Sequence, residues 1–149
     1  MERIQVSDNF YLDEFIDPTT YRKFGAKSQR YIRKEMILAA QYLRTITGLS
    51  ITINNWGAGG SYKESGLRNF ETSTGAKYSA HKFGAGIDLK IGNLDSFEMV
   101  KILMNHEKEL FDIGIRRYEN PDFTKGQSRD WLHIDSLHTG LKELLMVNP

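Results

Sequence analysis

Two short segments carry the residues whose types and spacing could do chemistry. They are Ser79-Ala80-His81-Lys82-Phe83-Gly84-Ala85-Gly86-Ile87-Asp88 and Asp130-Trp131-Leu132-His133-Ile134-Asp135. Together they supply two histidines and a carboxylate, His81, Asp88 and His133, which could hold one divalent metal. Two histidines, one carboxylate and an open fourth position form the ligand pattern of catalytic zinc rather than of closed structural zinc. Asp130 and Asp135 are spare acids that could act on water at such a metal. If the segments meet in space, the chain is expected to be a metal-dependent hydrolase.

Strand geometry sharpens this expectation. Side chains alternate faces along an extended chain, so Gly84, Gly86 and Asp88 share one face while Ala85, Ile87 and Leu89 point into a core. Two glycines on the carboxylate's face leave room beside it. His81 lies in the loop feeding the strand and can fold back over that room. In the second segment Trp131, His133 and Asp135 share one face, and Leu132 and Ile134 share the other.

The elements that must position these residues are mixed. A helix is expected from about Ser28 to Thr47, where Tyr31, Ile32, Met36, Ala39, Ala40, Leu43 and Ile46 recur at helical spacing and Gly48 is a stop. Residues 49–54 alternate and read as a strand. From Asn55 to about Lys82 the chain is rich in Gly, Ser, Asn and Thr, a length usual for functional loops. A strand over Gly84–Ile91 follows. Asp95-Ser96-Phe97-Glu98 matches a capping box that opens a helix to about Lys108. Phe111–Tyr118 reads as a strand, 119–128 as a loop, 131–135 as a short strand, and Thr139–Val147 as a closing helix. Without regular βαβ alternation, this order predicts an α+β fold, a mainly antiparallel sheet with helices packed on it.

Bulk properties bound the rest. The 149 residues fit one domain over 1–149 with a real core. A formal net charge of +1 gives no global case for nucleic acid or for a membrane surface. The absence of cysteine excludes disulfides and thiolate metal sites. No stretch approaches the roughly 18 apolar residues of a membrane span, so membrane insertion is not expected. Met1-Glu2-Arg3-Ile4-Gln5 does not begin a signal peptide. Synthesis in a cytoplasm is therefore expected, with any action at a cell wall following release.

The pattern Ser79-x-His81-x-x-Gly84-x-Gly86-x-Asp88, followed by Asp130-Trp131-x-His133, resembles the zinc peptidases of family M15. These include D-Ala-D-Ala carboxypeptidases, D,D-dipeptidases and bacteriophage L-alanyl-D-glutamate endopeptidases, and Hedgehog signal domains share their framework. The resemblance spans most of the chain. Gly86 stands where the family usually has alanine. The resemblance implies a Hedgehog/D-Ala-D-Ala peptidase-like fold with one Zn(2+) per chain on His81, Asp88 and His133. It implies that Asp130 is the general base, whereas strand parity favours Asp135, which is otherwise a partner of His133. It also implies that an arginine of the preceding loop, matched here by Arg68, holds the substrate carbonyl or stabilises an oxyanion; the plain alternative is a solvated surface arginine.

Ser79 could bond a substrate carboxylate or fix its loop. Trp131 could floor the cleft or brace His133. His138 and His106 are expected to stand outside the site, and Tyr62 and Tyr78 are possible flanks. The function expected from the resemblance is hydrolysis of peptide bonds in peptidoglycan stem peptides by a monomer, as in a phage endolysin or a bacterial carboxypeptidase. The alternative is an inactive metal-bearing module used for binding or in a phage structure.

Overall fold

The computed structural model describes residues 2–149. The chain opens with a small hairpin, β1 (Gln5–Ser7) and β2 (Phe10–Tyr11). Helix α1 (Pro18–Phe24) starts on Asp17, whose carboxylate accepts the Thr20 N–H at 2.9 Å, with proline in the first turn. Helix α2 (Lys34–Thr47) buries the stripe Met36, Ile37, Ala39, Ala40 and Leu43. It ends at Gly48, a left-handed residue (φ 66°) whose N–H donates to Arg44 O.

The helix expected from Ser28 therefore begins six residues late. Residues Gly25–Tyr31 form 3-10 turns, and the chain is extended at Ile32 and Arg33. The cause is tertiary, because the Arg33 N–H donates to Gly84 O at 2.9 Å. A Cβ at Gly84 would lie 1.8 Å from Tyr31 O, so only glycine (φ 64°) allows the two backbones to cross there.

Strand β3 (Ile51–Thr52) is shorter than expected. The expected loop over 55–82 is present and contains only 3-10 turns at Trp56–Ala58 and Ala80–Phe83. Strand β4 (Gly86–Ile91) precedes α3 (Ser96–Asn105), which opens on the full reciprocal capping box of Asp95 and Glu98. Next come α4 (Glu107–Ile113), β5 (Arg117–Glu119), β6 (Leu132–Asp135) and β7 (Leu145–Val147).

Two assignments need correction. Phe111–Ile113 is helical and packs Leu110 into the core, and Gly114 (φ 127°) ends the helix before β5. The predicted closing helix over 139–147 is instead loop and β7, recruited by pairing because the Leu145 N–H donates to Arg116 O at 2.9 Å.

The larger sheet has the order β3-β4-β6-β5-β7. Its neighbours are antiparallel except β5 and β7, which run parallel, so the sheet is mixed. In β4 and β6, Ile87 sits opposite Ile134 and Leu89 opposite Leu132. These four lie in one core with Met36, Ala39, Ala40 and Leu43 of α2, Met99 and Leu103 of α3, and Leu110 of α4. The alternate residues of the central strands face the other way: Gly86 opposite Asp135 and Asp88 opposite His133. Among the described residues no helix is long and apolar enough to cross a membrane.

Candidate metal centre

The predicted ligands converge. His81, Asp88 and His133 present donor atoms that all lie within 4.8 Å of one another. Asp88 and His133 meet because they are a direct cross-strand pair. His81 reaches them from the 3-10 turn at Ala80–Phe83, where its N–H is accepted by Ser79 Oγ at 3.3 Å. His81 Nε2 is 3.2 Å from His133 Nδ1 and 3.2 Å from Asp88 Oδ1; His133 Nδ1 is 2.9 Å from Asp88 Oδ1.

These three separations are the fit test for a metal. Tetrahedral coordination at bond lengths of 2.0–2.1 Å places neighbouring donors about 3.3 Å apart. The observed triangle is within a few tenths of an ångström of that face, so the donor set fits a small divalent ion such as zinc.

The outer contacts direct the lone pairs inward. Gly66 O can only accept, so the His81 Nδ1–H donates to it at 2.9 Å and Nε2 faces the triangle. His133 Nε2–H donates to Asp135 Oδ2 at 3.1 Å and Nδ1 faces the triangle. Asp135 is fully buried and receives a forked Arg117 guanidinium, with Nε and Nη2 each at 2.9 Å. Asp135 is thus the histidine's outer partner, as expected, and its oxygens are spoken for.

The protonation states follow from this packing. Burial works against charge on His133, but hydrogen bonds to Asp135 and Asp88 outweigh it and lift the imidazole to about 10. Burial likewise opposes charge on Asp88, yet His81 and His133 hold its carboxyl well below the usual range. Without a metal, the shifts of both groups favour a protonated His133 that donates from Nδ1 to Asp88 Oδ1 at 2.9 Å.

A cleft of about 410 Å³ opens on the triad. Arg68, Ser79, Tyr78 and Trp131 all line it. Arg68 is tied in rather than solvated: its Nε donates to Glu64 O at 2.7 Å and its Nη2 to Asp88 Oδ2 at 3.2 Å. Its remaining Nη1 faces Gly75, where a Cβ would lie only 2.6 Å away. Trp131 is half-buried on the cleft wall.

Asp130 is not brought to the cleft. Its Oδ2 accepts the Ser96 N–H at the start of α3 (3.0 Å) and its Oδ1 accepts the Gly126 N–H (3.2 Å). It lines a separate hollow with Asn93, Leu94 and Asp95. Because β6 begins only at Leu132, no strand bulge turns Asp130 toward His133. Its carboxylate instead joins the loop to the positive end of a helix.

The room expected beside Asp88 is also partly filled. A Cβ on Gly86 would meet Ala80 Cβ at 2.9 Å and His133 Cε1 at 3.2 Å, so the glycine makes room for the imidazole. His106 stands apart, bonded to Tyr42 (2.9 Å), and His138 is exposed. Tyr62 lies beneath the Lys90 ammonium, 4.2 Å from its ring centre.

Two charged residues of the cleft, Arg117 and Glu119, escaped sequence reading. Glu119, the last residue of β5, lines the same space as Asp88 and His133. It follows the stretch read as a strand, at the start of a stretch read as a loop, and no local pattern marks it.

No family model matches the chain, and neither the curated proteins nor the solved structures contain a match.

Proposed function

We propose that the chain is a zinc-dependent peptidase that hydrolyses bonds in peptidoglycan stem peptides. The observation that carries the hydrolytic reading is the triangle of His81 Nε2, His133 Nδ1 and Asp88 Oδ1, which opens on a cleft instead of being closed by a fourth protein ligand. The peptide substrate class rests on the resemblance of the two ligand segments to M15 peptidases. A bound zinc ion supplies Lewis acidity, polarising a carbonyl and easing deprotonation of water at neutral pH. Arg68 presents a fixed donor to the same cleft, suited to a carbonyl oxygen that gains charge. Ser79 and Trp131 border the space where the flanking peptide would lie.

The test pairs metal content with cleavage. Elemental analysis of unstripped protein is expected to find one zinc per chain, and His133→Ala is expected to lose it. Mass spectrometry of defined muropeptides should then show a single class of bond cut by the metal-loaded wild type. Metal-loaded protein that cleaves none of a broad muropeptide panel would remove the peptidase reading.

The second reading, a metal-bearing binding module without turnover, is favoured by one specific observation: Asp130, the acid expected to act as base, is engaged at the start of α3. Peptide binding without cleavage would select it.

A further inference from the structure

If the site hydrolyses an amide, water must lose a proton as it attacks, and the acid that takes it must lie on the cleft. Asp130 is bound to Ser96 and Gly126 outside it. Asp135 is fully buried beneath His133 and held by Arg117. Asp88 is a ligand. Among the described residues one side-chain carboxylate remains on the cleft wall, that of Glu119.

Its placement follows from strand register. Pairing of β5 with β6 sets Arg117 opposite Asp135 and Tyr118 opposite Ile134. One step further along the antiparallel pair, Glu119 falls beside His133, on the sheet face that carries the ligands. Parallel pairing with Val147 of β7 fixes the other side of its backbone. The charges that act on its carboxylate are those of the site itself, His133, Asp88, His81 and Arg68, and among the described residues no hydrogen bond engages it.

Resting on the hydrolase reading, we propose that Glu119, and not Asp130, is the carboxylate that accepts the proton of the attacking water. As the water oxygen bonds to the carbonyl carbon, Glu119 takes one of its protons. As the C–N bond breaks, that proton passes to the departing nitrogen, which leaves as an amine, and Glu119 is returned as a carboxylate.

The test uses zinc-loaded full chain and two probes. Acetohydroxamate binds zinc and gives its proton to a neighbouring carboxylate, so it reads the carboxylate without any turnover. Glu119→Gln is expected to keep one zinc per chain and to bind acetohydroxamate about tenfold or more weakly, the loss of a hydrogen bond to a charged group. Its muropeptide turnover should fall by roughly 10²–10⁴-fold. Glu119→Asp, which keeps the charge on a shorter arm, should lie between Gln and wild type. Asp130→Asn should leave hydroxamate affinity and turnover close to wild type.

Equal hydroxamate affinity in wild type and Glu119→Gln overturns the proposal, as does loss in Asp130→Asn with none in Glu119→Gln. A wild type that binds hydroxamate through Glu119 yet cleaves no peptide overturns the hydrolase reading and the catalytic role together. A Glu119→Gln variant that cleaves peptide as fast as wild type overturns the assignment to Glu119 alone.

Discussion

His133 and Asp135 lie two residues apart on one strand, and the carboxylate of Asp135 accepts the Nε2–H of His133 at 3.1 Å while it grips Arg117 on its other side. The imidazole is thereby held with Nδ1 toward Asp88. Asp135→Asn keeps the shape but removes the negative charge that orients the ring. Metal affinity should fall about 10–100-fold, the usual effect of losing such an outer partner. Competition against a chromogenic chelator measures it, and an unchanged affinity would show that packing alone sets the ring.

Stability of the metal-free protein should depend on pH in a defined sense. The folded His133 imidazole is raised from its ordinary 6.5 to about 10, so its contribution is complete below pH 6.5 and is lost as pH rises through about 10. Asp88 and Asp135 are lowered from 3.8, so their contributions are present above that value and are lost as pH falls through the folded values. Chelator-treated protein should therefore melt highest between about pH 4 and 6.5 and progressively lower toward pH 10. Zinc-loaded protein should lack the alkaline decline, because metal replaces the proton on Nδ1. Calorimetric titration near pH 8 in buffers of different ionisation enthalpy should show net proton release on zinc uptake.

Gly86→Ala tests how closely the ligand strand and the His81 turn approach. The added methyl would meet Ala80 Cβ at 2.9 Å and His133 Cε1 at 3.2 Å. Stability should drop by about 1–3 kcal/mol, the range for overpacking, and zinc affinity should drop with it as the imidazole is displaced. Melting curves with and without zinc check both effects. An innocuous substitution would mean that Ala80 and the imidazole yield easily.

Legibility from sequence followed the range of the interactions. The Asp88 and His133 faces were readable because period-two alternation is local, and the register then made them neighbours. The capping box of Asp95 and Glu98 was readable for the same reason. The closing segment was not, because Leu141, Leu144 and Leu145 suit a helix face by spacing, and only the distant β5 recruits Leu145–Val147 as a strand. The late start of α2, after extended Ile32 and Arg33, likewise depends on Gly84, far along the chain. Asp130 was misplaced because the motif required a bend before Trp131, against strand parity, whereas two backbone amides hold the carboxylate elsewhere. Glu119 was invisible because only the register of β5 on β6 brings it to the cleft.

The alternation that seats the ligands has one more effect. Asp88 is flanked by Ile87 and Leu89, and His133 by Leu132 and Ile134, all fully or almost fully buried. Neither ligand backbone can retreat without pulling a core side chain with it and parting the β4–β6 ladder. A calcium ion asks for six to eight oxygens at about 2.3–2.6 Å. It would meet two nitrogens and one oxygen on a frame that does not widen. For any ion that binds there, the sheet would act as a fixed gauge of ionic radius at two of the three ligands, set by the hydrophobic packing behind it.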